Sequence, residues 1–354
     1  STVFTHGIYV PWGIISEVAS HERVPISTWN VAYRKRRFIF SHDDTYHHTL
    51  MTEPHEHWES LELTQAKEQE LMQYLASRRE GLFDWIVFHR PKENDSQNIS
   101  RNFGIDSSKP VIGLLTNVSW DAQLHYPANA FPNMLDWLVT TCKYFETRQD
   151  LQLLIRVHPG EVSGFPKSRQ PIIKELKKHI QTIPKNIIIV PPESEASTYS
   201  LMSVCDSAII YGTKMGVELT SVGLPVIVAG EAWIRNKGLT YDASTPDEYL
   251  KLLDKLPFRT QLDSTVLARA RRYAYHFFFN RMIPLPFIEP KTNYPIYRLK
   301  LTKLDHLFPG QSKGLDIICN GILQGKPFVF NNDPITAGEE ARDPGNEQSA
   351  VRAL

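Results

Sequence analysis

The sequence predicts an α/β protein of two domains, the second built on a parallel sheet. Three observations carry this. The chain has 354 residues, room for two domains at about 100–200 residues each. From residue 110 onward, short, near-continuous apolar runs alternate with helical patterns, as in strands covered on both faces and joined by helical crossovers. Between this part and a first region of different pattern lies a polar, turn-rich stretch, 91–109, which reads as a linker.

In the first region, Ser1–Gly7 reads as the end of a strand running into a glycine turn, which predicts upstream residues in the native protein. Residues 13–22 form a short helix, 25–33 a strand and 38–40 a second strand after the basic run Arg34-Lys35-Arg36-Arg37. Residues 41–48 read as a polar loop. Residues 64–79 show helical periodicity, with Leu71, Met72 and Leu75 on one face, Thr64 as N-cap and Gly81 as the stop.

In the second region the predicted strands are 111–116, 151–157, 186–190, 207–211 and 225–229. The helices between and after them are 129–147, 170–182, 196–204, 213–222, 245–255 and 262–279. The segment from Asn331 is rich in Gly, Asn, Glu, Asp and Pro and reads as a flexible tail. The domains are then 1–105, 106–280, an extension 281–330 packing back on them, and the tail 331–354.

Composition excludes several functions. Lys and Arg number 39, as do Asp and Glu, so the basic excess of a nucleic-acid binder is missing. The three cysteines, Cys142, Cys205 and Cys319, are far apart, which speaks against a disulfide framework or zinc site and for a reducing compartment. No run of 18 apolar residues predicts a transmembrane helix.

Ligands of an open parallel sheet bind beyond the carboxyl ends of its strands, which picks out three loops. The first is Thr116-Asn117-Val118-Ser119-Trp120-Asp121. In the second, Arg156-Val157-His158-Pro159-Gly160-Glu161, the Pro-Gly turn leaves His158 at a strand tip, where an imidazole can donate to a phosphate oxygen or protonate a leaving phosphate. A histidine merely packed in a turn is the other reading. The third, Tyr211-Gly212-Thr213-Lys214-Met215-Gly216, runs from a strand into a helix start, whose free N–H groups and dipole favour phosphate. Gly212 permits close approach, Thr213 adds a hydroxyl, Lys214 a charge, and Glu218 a carboxylate for a ribose. An ordinary capped helix is the alternative. Gly230-Glu231-Ala232-Trp233 is a fourth lining loop, and Glu193 reads as a solvated loop residue.

The segment Ser41-His42-Asp43-Asp44-Thr45-Tyr46-His47-His48 gathers carboxylates and imidazoles. Asp43 or Asp44 can serve as a general base on an acceptor hydroxyl. A metal site lacks convincing ligand spacing, and a solvated loop is the remaining reading. The turn 6–13 is a further candidate cleft loop. Arg34–Arg37 suits an acidic acceptor or a membrane surface, or simply a solvated strand edge.

In order and spacing, 6–13 (HGIYVPWG), 40–47 (FSHDDTYH), 116–121 (TNVSWD), 156–161 (RVHPGE), 211–230 (YGTKMGVELTSVGLPVIVAG) and 237–242 (KGLTYD) resemble the bacterial capsule polysaccharide biosynthesis family of glycosyltransferases. The resemblance covers most of 1–280. It implies a metal-independent GT-B-type fold, with two Rossmann-like domains facing a cleft and the N-terminal one short or truncated. It also implies a nucleotide-sugar donor, CMP- or UDP-linked, with no further cofactor. The implied acceptor is a surface glycan or lipid-linked glycan, with no nucleic acid as partner. Catalysis then falls to His158 with Asp43 or Asp44, and donor binding to Asn117, Ser119, Gly212, Thr213, Lys214 and Glu218. Gly-Thr-Lys stands where related transferases carry paired serines, which leaves the nucleotide open. The expected location is cytoplasmic, with peripheral association at the inner membrane face. Other sugar-nucleotide chemistry (2-epimerisation or polyol-phosphate transfer) and a non-catalytic glycan-binding role are the alternatives.

Overall fold

The structure, a computed structural model, describes residues 1–81, 83–85, 96–121, 126–164, 167–258, 261–291 and 296–331. The predicted tail beyond residue 331 and the linker positions 91–95 lie outside the described residues. The chain divides into two compact units, Ser1–Tyr46 with Tyr275–Leu354, and His47–Ala274. Strands are numbered β1 to β12 in chain order.

The first unit starts with β1 (Thr2–Thr5), β2 (Ile26–Val31) and β3 (Arg37–His42). β1 and β2 are parallel, joined by the helix Trp12–His21; β2 and β3 are antiparallel, with Trp29 opposite Phe40. The predicted loop 41–48 is a loop only at 43–45, between the end of β3 and a helix that starts at Tyr46. Asp43 turns the chain in the left-handed region, φ 60°, a conformation that Asp tolerates better than most residues. The helix Tyr46–Thr52 follows at once.

The second unit holds β4 (Val111–Leu115), β5 (Gln152–Arg156), β6 (Ile187–Val190), β7 (Ser207–Ile210), β8 (Val226–Val228) and β9 (Tyr241–Asp242). They form one parallel sheet in the order β6-β5-β4-β7-β8-β9, so the chain winds outward twice from β4. β4 and β5 are buried along their whole length; β4 is apolar throughout, and β5 holds Leu153, Leu154 and Ile155 between the buried polar ends Gln152 and Arg156. On one face Ile112, Leu114, Leu153 and Ile155 pack with Trp137, Leu138 and Phe145 of the helix Met134–Thr147 and with Ile172 and Leu176. Each such burial stabilises by about 1.5–3 kcal/mol.

The helix Gln65–Glu80 starts and stops as expected. Thr64 accepts from Lys67 N–H, and Gly81 closes it at φ 70°. It belongs to the second unit, and so does the helix Ser96–Phe103 inside the supposed linker. The boundary therefore falls at 46/47 instead of 105/106. The helix buries Leu71, Tyr74 and Leu75, and its Arg78 and Glu68 pair with Glu218 and Arg271 of the sheet domain.

After the helix Ser264–Tyr275 and a π-turn, His276–Asn280, the chain returns to the first sheet. β10 (Ile283–Pro284) pairs antiparallel with β3, completing the order β1-β2-β3-β10. β11 (Ile288–Pro290) and β12 (Tyr297–Leu299) form a hairpin. The helix Lys313–Gln324 comes close enough to β10 that a Cβ on Gly314 would lie 1.9 Å from Pro284 O.

Candidate functional site

β4 lies between β5 and β7, so the winding of the sheet reverses there, at the switch point beyond whose strand tips ligands of open parallel sheets bind. Thr116 and Asn117, just past β4, are both buried. Thr116 Oγ1 accepts from the His158 backbone N–H at 3.0 Å, and Asn117 Oδ1 accepts from Gly212 N–H at 3.3 Å. The β4 tip thus ties both neighbouring loops. Asn117 acts as a brace between strand tips. Ser119 lies further out, its hydroxyl donating to Gln170 O at 3.3 Å.

His158 is half-buried at the β5 tip. Its Nδ1 accepts from Gly160 N–H at 3.0 Å, because the Pro159-Gly160 turn swings that amide back over the ring. Nε2 therefore carries the proton. Burial, assisted by the Lys214 and Arg156 charges and opposed by Asp121, pushes the imidazole down to about 4. At neutral pH His158 is a fixed, neutral N–H donor. Arg156 behind it is buried and spans to the β6 loop, donating to Pro191 O and Ser194 O. Glu193 is exposed.

The β7 tip carries Gly212-Thr213-Lys214 into the helix Met215–Ser221. Gly216 lets this helix press on the sheet, since a Cβ there would sit 2.6 Å from Ile210 Cδ1. Thr213 Oγ1 accepts from Met215 N–H at 3.3 Å, one residue ahead of the cap position Lys214, whose own side chain makes no capping bond. With seven residues the helix has a small dipole, so any anion-binding capacity rests on the Lys214 charge. Burial and the Arg78 cation pull the Lys214 pKa down, and Glu218 offsets this.

Glu218 is 4% exposed and turned inward. Its Oε1 accepts from Lys214 Nζ at 2.9 Å; its Oε2 accepts from Arg78 Nε at 3.1 Å and from Tyr199 OH at 2.7 Å. Arg78 in turn meets Asp84 and donates to Tyr74 OH. Burial would raise the Glu218 pKa, but the Arg78 and Lys214 charges overcome that and hold it at about 2. With both oxygens engaged, Glu218 aims Lys214 and is not placed to receive a ribose, as the sequence suggested. Arg78, Tyr74, Asp84 and Tyr199 escaped the sequence reading. One signal was available: Arg78 stands on the stripe Leu71, Tyr74, Leu75 of an amphipathic helix, and a cation there implies a buried partner.

Beyond β8, Gly230 is wedged against the β7 tip, and Glu231 N–H donates to Asn129 Oδ1 at 2.8 Å. The Glu231 carboxylate is buried, with His48 Nε2 3.3 Å away. The histidine-aspartate segment is thus dispersed. His42 meets Gly321 O and stacks on Phe328, and Asp44 Oδ1 accepts from Thr45 N–H. Asp43 and Asp44 are exposed in the first unit. Among the described residues no three His, Cys, Asp or Glu side chains converge as a metal site.

Residues 106–273 match the model of a family described as capsule polysaccharide biosynthesis protein. No curated protein matches the chain. Among solved structures, the chain is similar to KpsC of Thermosulfurimonas dismutans, a beta Kdo 2,4 transferase. The identity is 14% over 77% of this chain and 78% of that one, with a TM-score of 0.50. It is also similar to the beta Kdo 2,7 transferase KpsC of that organism (12%, 85% and 96%, TM-score 0.44). A third similar structure is S. aureus MnaA with UDP (12%, 77% and 69%, TM-score 0.37). With the first of these the chain shares its fold, α/β of GT-B type. One unit carries the six-stranded parallel sheet and the other a smaller, mixed one.

Proposed function

We propose that the chain is a glycosyltransferase of the capsule polysaccharide biosynthesis family, whose model residues 106–273 match. It moves a sugar from a nucleotide-sugar donor to a hydroxyl of a surface glycan or glycolipid. One observation carries the reading. A neutral N–H donor, His158, and a braced cation, Lys214, stand on the two strand tips that flank β4. Negative charge grows on the nucleotide phosphate as the sugar departs, and fixed donors aimed at growing charge lower the barrier. His158 Nε2–H, the Thr213 hydroxyl and Lys214 Nζ would receive that phosphate, with Asn117 and Gly212 holding the two loops in register.

The Lys214 charge would take the place that a divalent cation holds in metal-dependent transfer, so EDTA leaves turnover unchanged. A cytoplasmic location and peripheral association with the inner membrane face belong to the same reading. In its support, the cysteines are unpaired and no helix among the described residues is long and apolar enough to cross a membrane. A lipid-linked acceptor would call for such association.

Thermal shift against CMP, UDP, GDP and ADP at millimolar concentration tests the donor site, since a ligand of the native state raises Tm by mass action. A shift with CMP or UDP that is lost in His158→Ala supports the site and names the donor class. No shift with any of the four removes it.

A further inference from the structure

We propose that the helix Trp12–His21 and the turn before it dock the chain on an anionic phospholipid surface. The inference names the surface for the peripheral association in the transferase reading, and rests on that reading for its purpose.

Small residues seat the helix. Ala19 is its buried residue and packs with Phe4 and Ile26. Ser16 lies against the chain that leaves β1: a Cβ on Gly7 would be 3.6 Å from Ser16 Oγ. The bulky aliphatic residues stand on the other face. Ile14 and Val18, one turn apart, are 59% and 57% exposed, and Ile15 shares their stripe. In the turn before, Val10 is 82% exposed, and Trp12 at the helix start is 39% exposed. A surface helix ordinarily turns its apolar stripe to the core. Here the large apolar side chains face outward, which marks a contact surface.

Charge decides the occupant. β1 and β2 are parallel, with Thr5 beside Trp29. The turn 6–11 therefore leaves the same end of the sheet as the turn 32–36 between β2 and β3. That second turn carries Arg34, Lys35 and Arg36, and Arg37 opens β3. Between Arg23 and His42 the chain has no carboxylate. Arg34 and Arg37 donate to the backbone carbonyls of Phe278 and Met282, which holds this basic end in place. The helix's own Glu17 falls about a quarter-turn off the apolar stripe, and Glu22 lies past the helix end beside His21. Aliphatic side chains enter the boundary of headgroup and acyl chain, a tryptophan sits at headgroup level, and cations meet anionic headgroups. A second copy of this chain fits less well, because a two-fold contact would set the same cationic run against itself.

The test uses the full chain with vesicles of phosphatidylcholine, alone or mixed with phosphatidylglycerol. Co-sedimentation reads binding, and Tm with CMP and UDP is read on the same preparations. The chain is expected to bind the phosphatidylglycerol vesicles, less so as salt is added. Ile14→Ser with Val18→Ser should weaken binding by about 10–100-fold, and Lys35→Gln with Arg36→Gln by about 30-fold. Both variants keep the nucleotide-induced Tm shift. The turn variant covers the case in which the serine variant does not fold. Absence of vesicle binding by the wild type overturns the surface, as does equal binding to both kinds of vesicle or wild-type binding by the folded variants. Dimerisation that the serine substitutions abolish, in a chain that ignores vesicles, overturns it in favour of a self-contact. A nucleotide shift that persists without vesicle binding removes the docking surface alone, whereas vesicle binding without any nucleotide shift upholds the surface and removes the transferase reading.

Discussion

Glu218 holds Lys214 from one turn along the same helix, Oε1 to Nζ at 2.9 Å, while its other oxygen takes Arg78 at 3.1 Å. Glu218→Gln leaves the buried Arg78 and the half-buried Lys214 short of their counter-charge, and breaking a buried pair from one side costs about 3–5 kcal/mol; urea unfolding reads it directly. The pH dependence has a definite sign. The folded carboxylate titrates at about 2 against an ordinary 4.5. As pH falls through that window the unfolded chain binds the proton first, so stability present above 4.5 is lost towards 2. The glutamine variant lacks that part of the acid limb. If its acid unfolding curve overlays that of the wild type, the network does not stabilise the fold.

His158→Ala removes a fixed donor and is expected to lower turnover by about 10²–10³-fold in a chain that still folds. His158→Gln separates donation from proton transfer. With the pKa at about 4, the ring donates a hydrogen bond and does not deliver a proton at neutral pH. A glutamine N–H can take over part of that work, so the glutamine variant retains more activity than the alanine. Equal loss in both, with a rate that rises as pH falls towards 4, would instead mark His158 as a general acid.

The parallel sheet was legible in the chain because buried strands such as 111–115 and 152–156 carry apolar runs, VIGLL and the LLI of QLLIR, and helices punctuate them. The placement of His158, Gly212 and Lys214 at strand ends was legible for the same reason: the apolar runs locate the loops that follow them. The unit boundary was not. Residues 91–109 look like a linker by composition, yet 47–105 joins the sheet domain through contacts distant in sequence, among them the pair Arg78 and Glu218, 140 positions apart. No local pattern encodes such a pair. Glu218 was misread for a related cause, since helical spacing locates a carboxylate without saying that its oxygens turn inward. His48 and Glu231 each lay in a candidate segment, and only the fold joins them.

Lys214→Met keeps the stem and removes the charge. A hydrogen bond to a charged group contributes about 1.5–3 kcal/mol, so the dissociation constant of the nucleotide that shifts Tm should rise about 10–100-fold. Titration calorimetry measures it. The salt dependence of binding should weaken too, because one less charge is screened. Unchanged affinity would place the phosphate away from the β7 tip.

Gly230→Ala tests whether the β7 and β8 tips must touch. The added Cβ would lie 2.6 Å from Tyr211 O and 3.0 Å from Asn129 Oδ1. The first is backbone fixed by the sheet, so the 230–231 loop has to move. Overpacking of this kind costs about 1–3 kcal/mol, readable by urea unfolding. The displacement reaches Glu231, whose N–H is held by Asn129 at 2.8 Å, and a misplacement of about 1 Å can cost about 10²-fold in rate. Turnover should therefore fall further than stability alone accounts for, at a temperature where the variant is fully folded. Normal turnover in a folded Gly230→Ala would detach the β8 loop from the chemistry.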